Sequence, residues 1–309
     1  MKIVRQAREL QTSGRKVCLA IGVFDGVHLG HQQVIRQTIA DARQHEALSV
    51  ALTFDRHPNA VVAPERAPQL IYSLPQKLRA IESLGVDATL LIEFTREFSG
   101  KSGEAFIREL AGGFGSIYSI CVGSAFTFGH KRSGNVELLR KLGAEFRFQV
   151  HGLAAVALDG KTVSSTRIRE CIREGDLDRA SQMLGRSYAI AGKVTEGDRL
   201  GRTLGAPTAN LDISGLIAPP NGVYAVHADV GGQCYRAVAN IGVRPTLNNP
   251  APQLRFEVHL LDYSGDLYGR ELEVTFAEKL REERKFASLD ELKAQIHADI
   301  QAARQIFCG

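Results

Sequence analysis

The first candidate site is a run of glycines and histidines near the start of the chain. It reads IGVFDGVHLGH over residues 21–31, where an apolar strand-like stretch gives way to a helix-like one. Free N–H groups and the positive dipole end at a helix start bind phosphates, and glycines let the backbone approach an anion closely. Either histidine alone would be equally typical of a surface loop, but the whole run predicts a phosphate-binding turn. The residues assigned to it are Gly22, Gly26, Gly30, His28 and His31.

A second candidate site is the hydroxyl-rich segment SSTRIR at residues 164–169. Ser165 and Thr166 stand at a predicted helix start, and Arg169 follows within one turn. This combination could hold the phosphates of ATP, although a Ser-Ser-Thr run alone is more typical of a helix cap. The residues assigned here are Ser164, Ser165, Thr166 and Arg169.

A third candidate site is the segment GDRLGRTLGAPTANL at residues 197–211. The Thr208 hydroxyl and the Asn210 amide oxygen are hard oxygen ligands that suit Mg²⁺ shared with nucleotide phosphates. Taken alone, Pro-Thr-Ala-Asn would be typical of a turn.

The elements around the first two segments indicate an α/β domain. Apolar strand candidates at residues 17–21, 50–54, 89–94 and 117–122 alternate with amphipathic helices, which favours a largely parallel sheet. Two short helices follow near residue 168 and end at Gly185. We therefore predict a first domain at residues 1–186.

The pattern changes at Tyr188 to strands alone. Strand candidates at residues 188–194, 223–229, 234–240, 254–261 and 271–276, separated by Gly, Asn and Pro, predict an antiparallel barrel over residues 187–309. A final amphipathic helix from Leu289 to Phe307 should pack on the barrel. Ser288 is its expected N-cap, with Glu291 completing a capping box.

Composition limits the kind of protein. A net charge of +4 over 309 residues, without a dense basic run, does not indicate a nucleic-acid partner. Five scattered cysteines form no zinc or redox motif and are expected to be reduced thiols. The N-terminal segment lacks the apolar core of a signal peptide, and no run of about 18 apolar residues is present. We expect a soluble cytoplasmic protein without membrane partners.

The run at residues 21–31 resembles the H-x-G-H signature of nucleotidyltransferases, in the form found in bacterial bifunctional riboflavin kinase/FAD synthetases. TFDRHP (53–58), VGSAFTFG (122–129) and SSTRIR (164–169) follow in the order of that family. The resemblance implies a Rossmann-like FMN adenylyltransferase domain, and it adds Phe24 and Asp25 to the residues expected to bind nucleotide.

The third segment resembles the signature of flavokinases. GVY (222–224), NIGVRPT (240–246), FEVHLLD (256–262) and REERKF (281–286) resemble further kinase motifs, so the likeness covers essentially the whole chain. It implies a riboflavin kinase barrel. The residues it adds to the nucleotide-binding set are Gly197, Gly201, Arg202, Gly205 and Pro207.

The resemblance implies two consecutive reactions with ATP, riboflavin and FMN as substrates. The barrel would phosphorylate riboflavin, with Mg²⁺ on Thr208 and Asn210 and with Glu257 as general base, because a primary alcohol is a weak nucleophile. The first domain would join FMN to the α-phosphate of ATP. That nucleophile is already ionised, so His28, His31 and Arg169 would act by orientation and charge.

Three positions depart from the family pattern. Arg56 stands where proline is usual, Ala206 replaces phenylalanine, and Ala125 replaces an Asp or Asn that could hydrogen-bond substrate. The changes at Arg56 and Ala125 leave open a kinase whose adenylyltransferase domain has lost activity.

Two further alternatives remain open at this point. One is another nucleotidyltransferase of the cytidylyl or pantetheine-phosphate type, against which the kinase motifs argue. The other is a flavin-sensing regulator without turnover, against which the presence of Thr208, Asn210 and Glu257 argues. The oligomeric state stays open.

Overall fold

The computed structural model describes residues 1–196, 205–246 and 249–307. The chain divides into two compact units, Met1–Arg167 and Ile168–Gly309. The domain boundary predicted at residue 186 stays a prediction.

The first unit is built on a six-stranded sheet whose paired strands all run parallel. The order across the sheet is β1-β4-β3-β2-β5-β8. Its strands are β1 (Lys2–Val4), β2 (Val17–Ile21), β3 (Leu48–Phe54), β4 (Ala88–Ile92), β5 (Ile117–Gly123) and β8 (Gln149–Leu153). Two small antiparallel pairs accompany it, β6 (Thr127–Phe128) with β7 (Gly134–Asn135), and β9 (Ala157–Leu158) with β10 (Lys161–Thr162).

Helices lie between the strands of this sheet, as the alternating pattern predicts. They are α1 (Leu29–Gln44), α2 (Asn59–Val62), α3 (Leu74–Glu82), α4 (Arg96–Ser99), α5 (Gly103–Phe114) and α6 (Val136–Phe146). Strand β2 is buried at every position, as expected for a central parallel strand with apolar side chains on both faces. One face packs Leu19 in a large apolar cluster, and the other packs Ala20 against α1 residues that include Ile35.

Two helices and a closed barrel form the rest of the chain. Helix α7 (Ser165–Glu174) crosses the point where the two units divide, and α8 (Leu177–Leu184) ends at Gly185 in the left-handed conformation, as predicted. The barrel order is β11-β12-β15-β14-β13-β16, with β16 pairing back on β11. Its strands are β11 (Ala189–Thr195), β12 (Ala209–Asp212), β13 (Gly222–Val230), β14 (Gln233–Thr246), β15 (Asn249–Leu260) and β16 (Glu271–Arg281).

The fold class predicted from the sequence is confirmed. The structure adds strand β12, which was not among the predicted strands, and it extends β14 through a segment containing Gly242. The final helix, α9, spans Leu289–Ile306.

The start of α9 corrects one detail. Ser288 caps the helix by accepting the Glu291 N–H at 3.2 Å, as expected. The Glu291 carboxylate, however, accepts the N–H of Ala287 at 3.0 Å, so the reciprocal bond to Ser288 expected of a capping box is replaced by one to the preceding residue.

Candidate active sites

The glycine-rich run lies at the carboxyl end of β2, where α1 begins. His28 is the N-cap of α1, and its Nδ1 accepts the N–H of His31 at 3.4 Å. The two imidazole rings are stacked, with centroids 3.6 Å apart and planes 18° from parallel. The structure thus brings together the two histidines that the sequence predicted at one phosphate chain.

The backbone of this turn is unusual. Phe24 and Val27 have positive φ values of 52° and 41°, beside Gly26 at 78°. A β-branched residue such as Val27 rarely adopts that conformation, which costs of order 1–3 kcal/mol and persists only where the surroundings enforce it. A Cβ at Gly30 would lie 3.2 Å from the His28 ring, so the glycine leaves room for the capping imidazole.

Phe24 and Asp25 support the turn. Phe24 is buried, and its ring meets His31 edge to face at 5.3 Å. The buried Asp25 carboxylate accepts the Ile71 N–H at 3.0 Å and the Tyr72 N–H at 3.4 Å. These contacts hold the turn to the residues packed beneath it. Direct contact of Phe24 or Asp25 with nucleotide stays a prediction.

The second segment reaches the same turn. Ser165 at the start of α7 donates its hydroxyl to the Asp25 carbonyl at 3.0 Å, a contact between residues 140 positions apart. Ser164 accepts the Arg167 N–H at 3.3 Å, which is the helix-capping role typical of such a serine. Arg169 follows one turn later and is buried.

The order of the parallel strands places this site where ligands usually bind. The chain proceeds outward from β2 through β3 and β4 and then returns to β5 on the other side of β2. Ligands of open α/β sheets bind beyond the carboxyl ends of the strands at such a reversal. Ala125 is exposed in the turn that follows β5, at this same reversal.

Arg56 is engaged with its neighbour Asp55. The guanidinium donates to one carboxylate oxygen at 2.8 and 3.0 Å, and the other oxygen accepts the Phe94 N–H at 2.9 Å. Burial acts in the opposite sense, but these hydrogen bonds hold the pKa of Asp55 below its ordinary value. Beside Asp55, at the ends of β3 and β4, lies a cavity of about 680 Å³ that the sequence did not predict. Its walls include Arg5, Asp55, Ile92, Phe98 and Lys101.

The barrel site is a row of side chains across three strands. Asn210 on β12 is the register partner of Glu257 on β15, and Glu257 in turn is the partner of Asn240 on β14. Directly opposed residues have Cβ atoms about 4.5–5.5 Å apart and point to the same face. The three side chains, together with Thr208, line one cavity of about 310 Å³.

Strand alternation explains why β15 presents charge to this cavity. Phe256, Val258 and Leu260 are buried in the barrel, while the intervening residues face the cavity or its edge. Arg255 pairs with the Glu257 carboxylate at 3.3 Å, and Nδ1 of His259 donates to the Pro207 carbonyl at 2.8 Å. Asn240, Arg255 and His259 were not among the predicted site residues.

The far wall of the cavity is apolar and comes largely from the final helix. The expected stripe of α9 divides in two: Ala303 and Phe307 pack into a barrel cluster, whereas Leu292 and Ile296 are half-buried and line the cavity. The buried Asp299 carboxylate beside them accepts three hydrogen bonds from Arg281, at 2.8 to 3.1 Å.

A second cavity, of about 640 Å³, lies on the other side of Thr208. Its walls include Pro207, Thr208, Ala209, Val258, Tyr263 and Tyr268. Thr208 therefore faces both cavities. Gly205 has a φ of +83°, which suits glycine in the approach to β12, whereas the predicted residues Gly197, Gly201 and Arg202 lie outside the described residues.

The donor set fits Mg²⁺ that is shared with substrate phosphates. Within the described part of the chain, no group of three or more His, Cys, Asp or Glu side chains could hold a metal ion. Mg²⁺ commonly takes only one or two protein ligands and completes its shell with water and phosphate oxygens. The Thr208 hydroxyl and Asn210 amide at the cavity wall suit that arrangement.

The fold and the two groups of site residues are those of a transferase class, in which an α/β nucleotidyltransferase unit is followed by a barrel kinase. The family model described as FAD synthetase matches residues 10–167, and the riboflavin kinase model matches residues 184–307. The chain belongs to the bifunctional riboflavin kinase/FMN adenylyltransferase family, which confirms the resemblance drawn from the motifs.

Relatives match along nearly the full length. The bifunctional riboflavin kinase/FMN adenylyltransferase of Escherichia coli K12 is 38% identical over 309 residues, covering 99% of this chain and 98% of that relative. The Pseudomonas fluorescens protein of the same description is 40% identical over 307 residues, with the same coverage. A crystal structure described as a macrolide-efflux protein from Streptococcus pneumoniae superposes with a TM-score of 0.81 at 29% identity, covering 98% of each chain. Among the residues described here, no helix is long and apolar enough to span a membrane.

Proposed function

We propose that this protein makes FAD in two steps, phosphorylating riboflavin in the barrel and adenylylating FMN in the α/β unit. The observation that carries the proposal is the convergence of Thr208, Asn210 and Glu257 on one cavity, next to a second cavity that shares Thr208. The match of the FAD synthetase model to residues 10–167 favours this function over the kinase-only alternative.

In the kinase step, the flavin ring would pack against the apolar wall of the barrel cavity of about 310 Å³. The ribityl 5′-hydroxyl would then point to Glu257, which accepts its proton as the oxygen attacks the γ-phosphorus and the bond to ADP breaks. Burial of a planar aromatic ring against Leu292 and Ile296 would supply binding energy, at about 25 cal/mol per Å² of apolar area.

The nucleotide would occupy the barrel cavity of about 640 Å³, with its terminal phosphate at Thr208. Thr208 and Asn210 would hold Mg²⁺, which would supply positive charge to the transferring phosphate. Arg255 lies 3.3 Å from Glu257 and adds a positive charge at the same point, which supports its assignment as a further phosphate-facing residue.

In the adenylylation step, the FMN phosphate would attack the α-phosphorus of a second ATP and release pyrophosphate. The nucleophile is an ionised phosphate, so the chain need not supply a base. His28 uses Nδ1 as an acceptor for His31 N–H, so Nε2 is the nitrogen of this ring that we expect to donate toward phosphate. The N-terminus of α1, Ser165 and Thr166 complete the proposed phosphate site in this unit, and a role of Arg169 stays an expectation from its motif.

The large cavity beside Asp55 is our candidate for the FMN ring in this step. It opens at the carboxyl ends of β3 and β4, and β3 is the neighbour of β2 in the sheet. Phe98 on its wall belongs to a cluster of phenylalanine rings with Phe54, Phe94 and Phe106, which suits a flat aromatic ligand.

The proposal places the enzyme in the cytoplasm, in keeping with Cys18, Cys121, Cys171 and Cys234, which form no disulfides. Its partners are the small molecules ATP, riboflavin and FMN, with Mg²⁺ as the metal; no nucleic-acid partner is proposed.

The deciding experiment is a time course with riboflavin, ATP and Mg²⁺, with the flavins separated by chromatography. FMN should rise first and FAD should follow. A parallel reaction starting from FMN should release one pyrophosphate for each FAD formed. If FMN is the sole product and supplied FMN yields no pyrophosphate, the protein is a riboflavin kinase without adenylyltransferase activity. If flavin binds but no product forms, the flavin-sensing regulator is favoured.

A further inference from the structure

A buried lysine lies directly behind the phosphate turn of the first unit. Lys77 is on α3, which packs beside the carboxyl ends of β2 and β3, and only 7% of the residue is exposed. Lysine is rarely buried to this extent unless its ammonium has partners, because the charged form loses its hydration.

The partners of Lys77 are carbonyls of two separate strand ends. Its Nζ donates to the Phe54 carbonyl at 2.7 Å and to the Val23 carbonyl at 3.4 Å. The Thr53 hydroxyl also donates to the Val23 carbonyl, at 2.9 Å. The lysine and the threonine therefore fasten the turn after β2 to the end of β3.

Two carboxylates face the ammonium from the two segments that it joins. Asp25 is in the phosphate turn, where it accepts the Ile71 and Tyr72 N–H groups, and Asp55 follows β3, where it is paired with Arg56. Burial lowers the pKa of Lys77 to about 8, even though Asp25 and Asp55 act to raise it. The Lys77 ammonium is therefore expected to lose its proton more readily than that of an exposed lysine.

We propose that the Lys77 ammonium is a positioning residue for adenylyl transfer: by holding Val23 against the end of β3, it keeps the strained segment from Phe24 to His28 in the conformation that binds phosphate. The inference rests on the proposed function of this unit. Lys77 itself does not touch substrate; it acts through the turn that carries His28.

The strain in the turn gives the contact its importance. Val27 has a positive φ of 41°, and such a conformation relaxes unless neighbouring contacts enforce it. Displacement of catalytic groups by about 1 Å can cost on the order of 100-fold in rate. Loss of the ammonium is thus expected to lower kcat more than it changes the KM for ATP.

The test compares Lys77→Met, which keeps the length and volume but removes the charge, with Lys77→Arg, which keeps the charge. Arg79→Met serves as the matched control, since Arg79 is exposed on the same helix. FMN adenylylation and riboflavin phosphorylation are measured on each preparation. We expect Lys77→Met to lower the kcat of adenylylation about 10- to 100-fold, Lys77→Arg to recover part of it, and all variants to keep the kinase rate.

The pH profile supplies a readout that a purely structural role would not change. With a pKa of about 8, the protonated fraction of Lys77 falls about tenfold between pH 7 and pH 9. The kcat of adenylylation in the unmodified protein should fall with it. Lys77→Arg should show no such fall, because arginine stays charged throughout this range.

The outcomes separate the inference from the proposed function. Absence of FAD formation by the unmodified protein would remove the proposed function itself. With FAD formation intact, an adenylylation rate within twofold of normal in Lys77→Met would overturn the positioning role. Should Lys77→Met fail to fold, Lys77→Gln, which is also uncharged, is measured in its place, and an adenylylation rate within twofold of normal would overturn the positioning role equally.

Discussion

Asn210 and Glu257 are direct register partners across strands β12 and β15, and both line the cavity that Thr208 also reaches. The proposed metal ligand and the proposed base therefore lie side by side on one face of the barrel. Since the positions of both depend on the same pairing of two strands, the backbone ladder between β12 and β15 sets the distance between the proposed ligand and the proposed base.

The first prediction concerns the base. Glu257→Gln keeps the shape of the side chain but removes its ability to accept a proton. FMN formation should fall by about two to four orders of magnitude, while FAD formation from supplied FMN is unchanged. The two rates are measured by chromatography on one preparation. Equal impairment of both steps in a folded protein would contradict the assignment.

The second prediction concerns the adenylylation site. His28→Ala removes the ring that caps α1 and stacks on His31 at 3.6 Å. Adenylylation should drop sharply and riboflavin phosphorylation should be unaffected. His45→Ala is a suitable control, because His45 is an exposed histidine at the other end of the same helix. A similar loss in both variants would point to general damage of α1.

The third prediction addresses Ala125, which is exposed at the strand reversal and offers only a methyl group there. A missing neutral hydrogen bond forfeits about 0.5–1.5 kcal/mol, or up to about tenfold in rate. Ala125→Asn should therefore raise adenylylation severalfold without changing the kinase. The measurement is pyrophosphate release from FMN and ATP.

The competing expectation at this position is that Ser124 or Arg56 has taken over the missing contact, which predicts no gain from the substitution. The guanidinium of Arg56 is already paired with Asp55 at 2.8 Å, which favours the outcome in which Ala125→Asn raises the adenylylation rate.

The fourth prediction tests the domain boundary. A fragment of residues 187–309 should fold and convert riboflavin to FMN without making FAD. The structure supplies a longer partner fragment, residues 168–309, which keeps the bond from the Tyr188 N–H to the Ser181 hydroxyl at 3.0 Å. Activity in the longer fragment alone would move the functional boundary to residue 168.

The fifth prediction concerns the ion pair at the cavity wall. Arg281→Met would leave the buried Asp299 carboxylate without its main partner, which costs about 3–5 kcal/mol for a fully buried pair. Because 21% of the Arg281 side chain is exposed, we expect about 3 kcal/mol, the lower end of that range. Urea unfolding of the barrel unit gives the value. Adding Asp299→Asn to Arg281→Met should restore part of the lost free energy of unfolding, since a neutral amide tolerates burial better than an unpaired carboxylate.

The elements that the sequence predicted well are those with a simple apolar pattern. Strand β2 is buried at all five positions and was located to the residue, and α1 shows its buried stripe clearly. Strand β12 was missed because its four residues lie inside a segment whose Pro, Thr and Asn are typical of turns, and only pairing with β11 and β15 makes it a strand.

The sites were predictable only where a local motif carried them. Thr208, Asn210 and Glu257 follow from their motifs, but Asn240 joins the same row through strand register, which a single sequence does not contain. Lys77 was missed for a different reason: a lysine in an amphipathic helix normally lies on the solvent face, and its burial here depends on where two distant strands end.

Closure of the barrel has a consequence for the order in which the protein matures on the ribosome. The first barrel strand, β11, finds its closing partner only at residues 271–275 of β16, so the kinase unit cannot complete its ladder until nearly the whole chain has emerged. The parallel sheet has all six of its strands by residue 153. Since domains generally fold from the N-terminus during synthesis, the unit proposed for the second reaction is assembled before the unit proposed for the first.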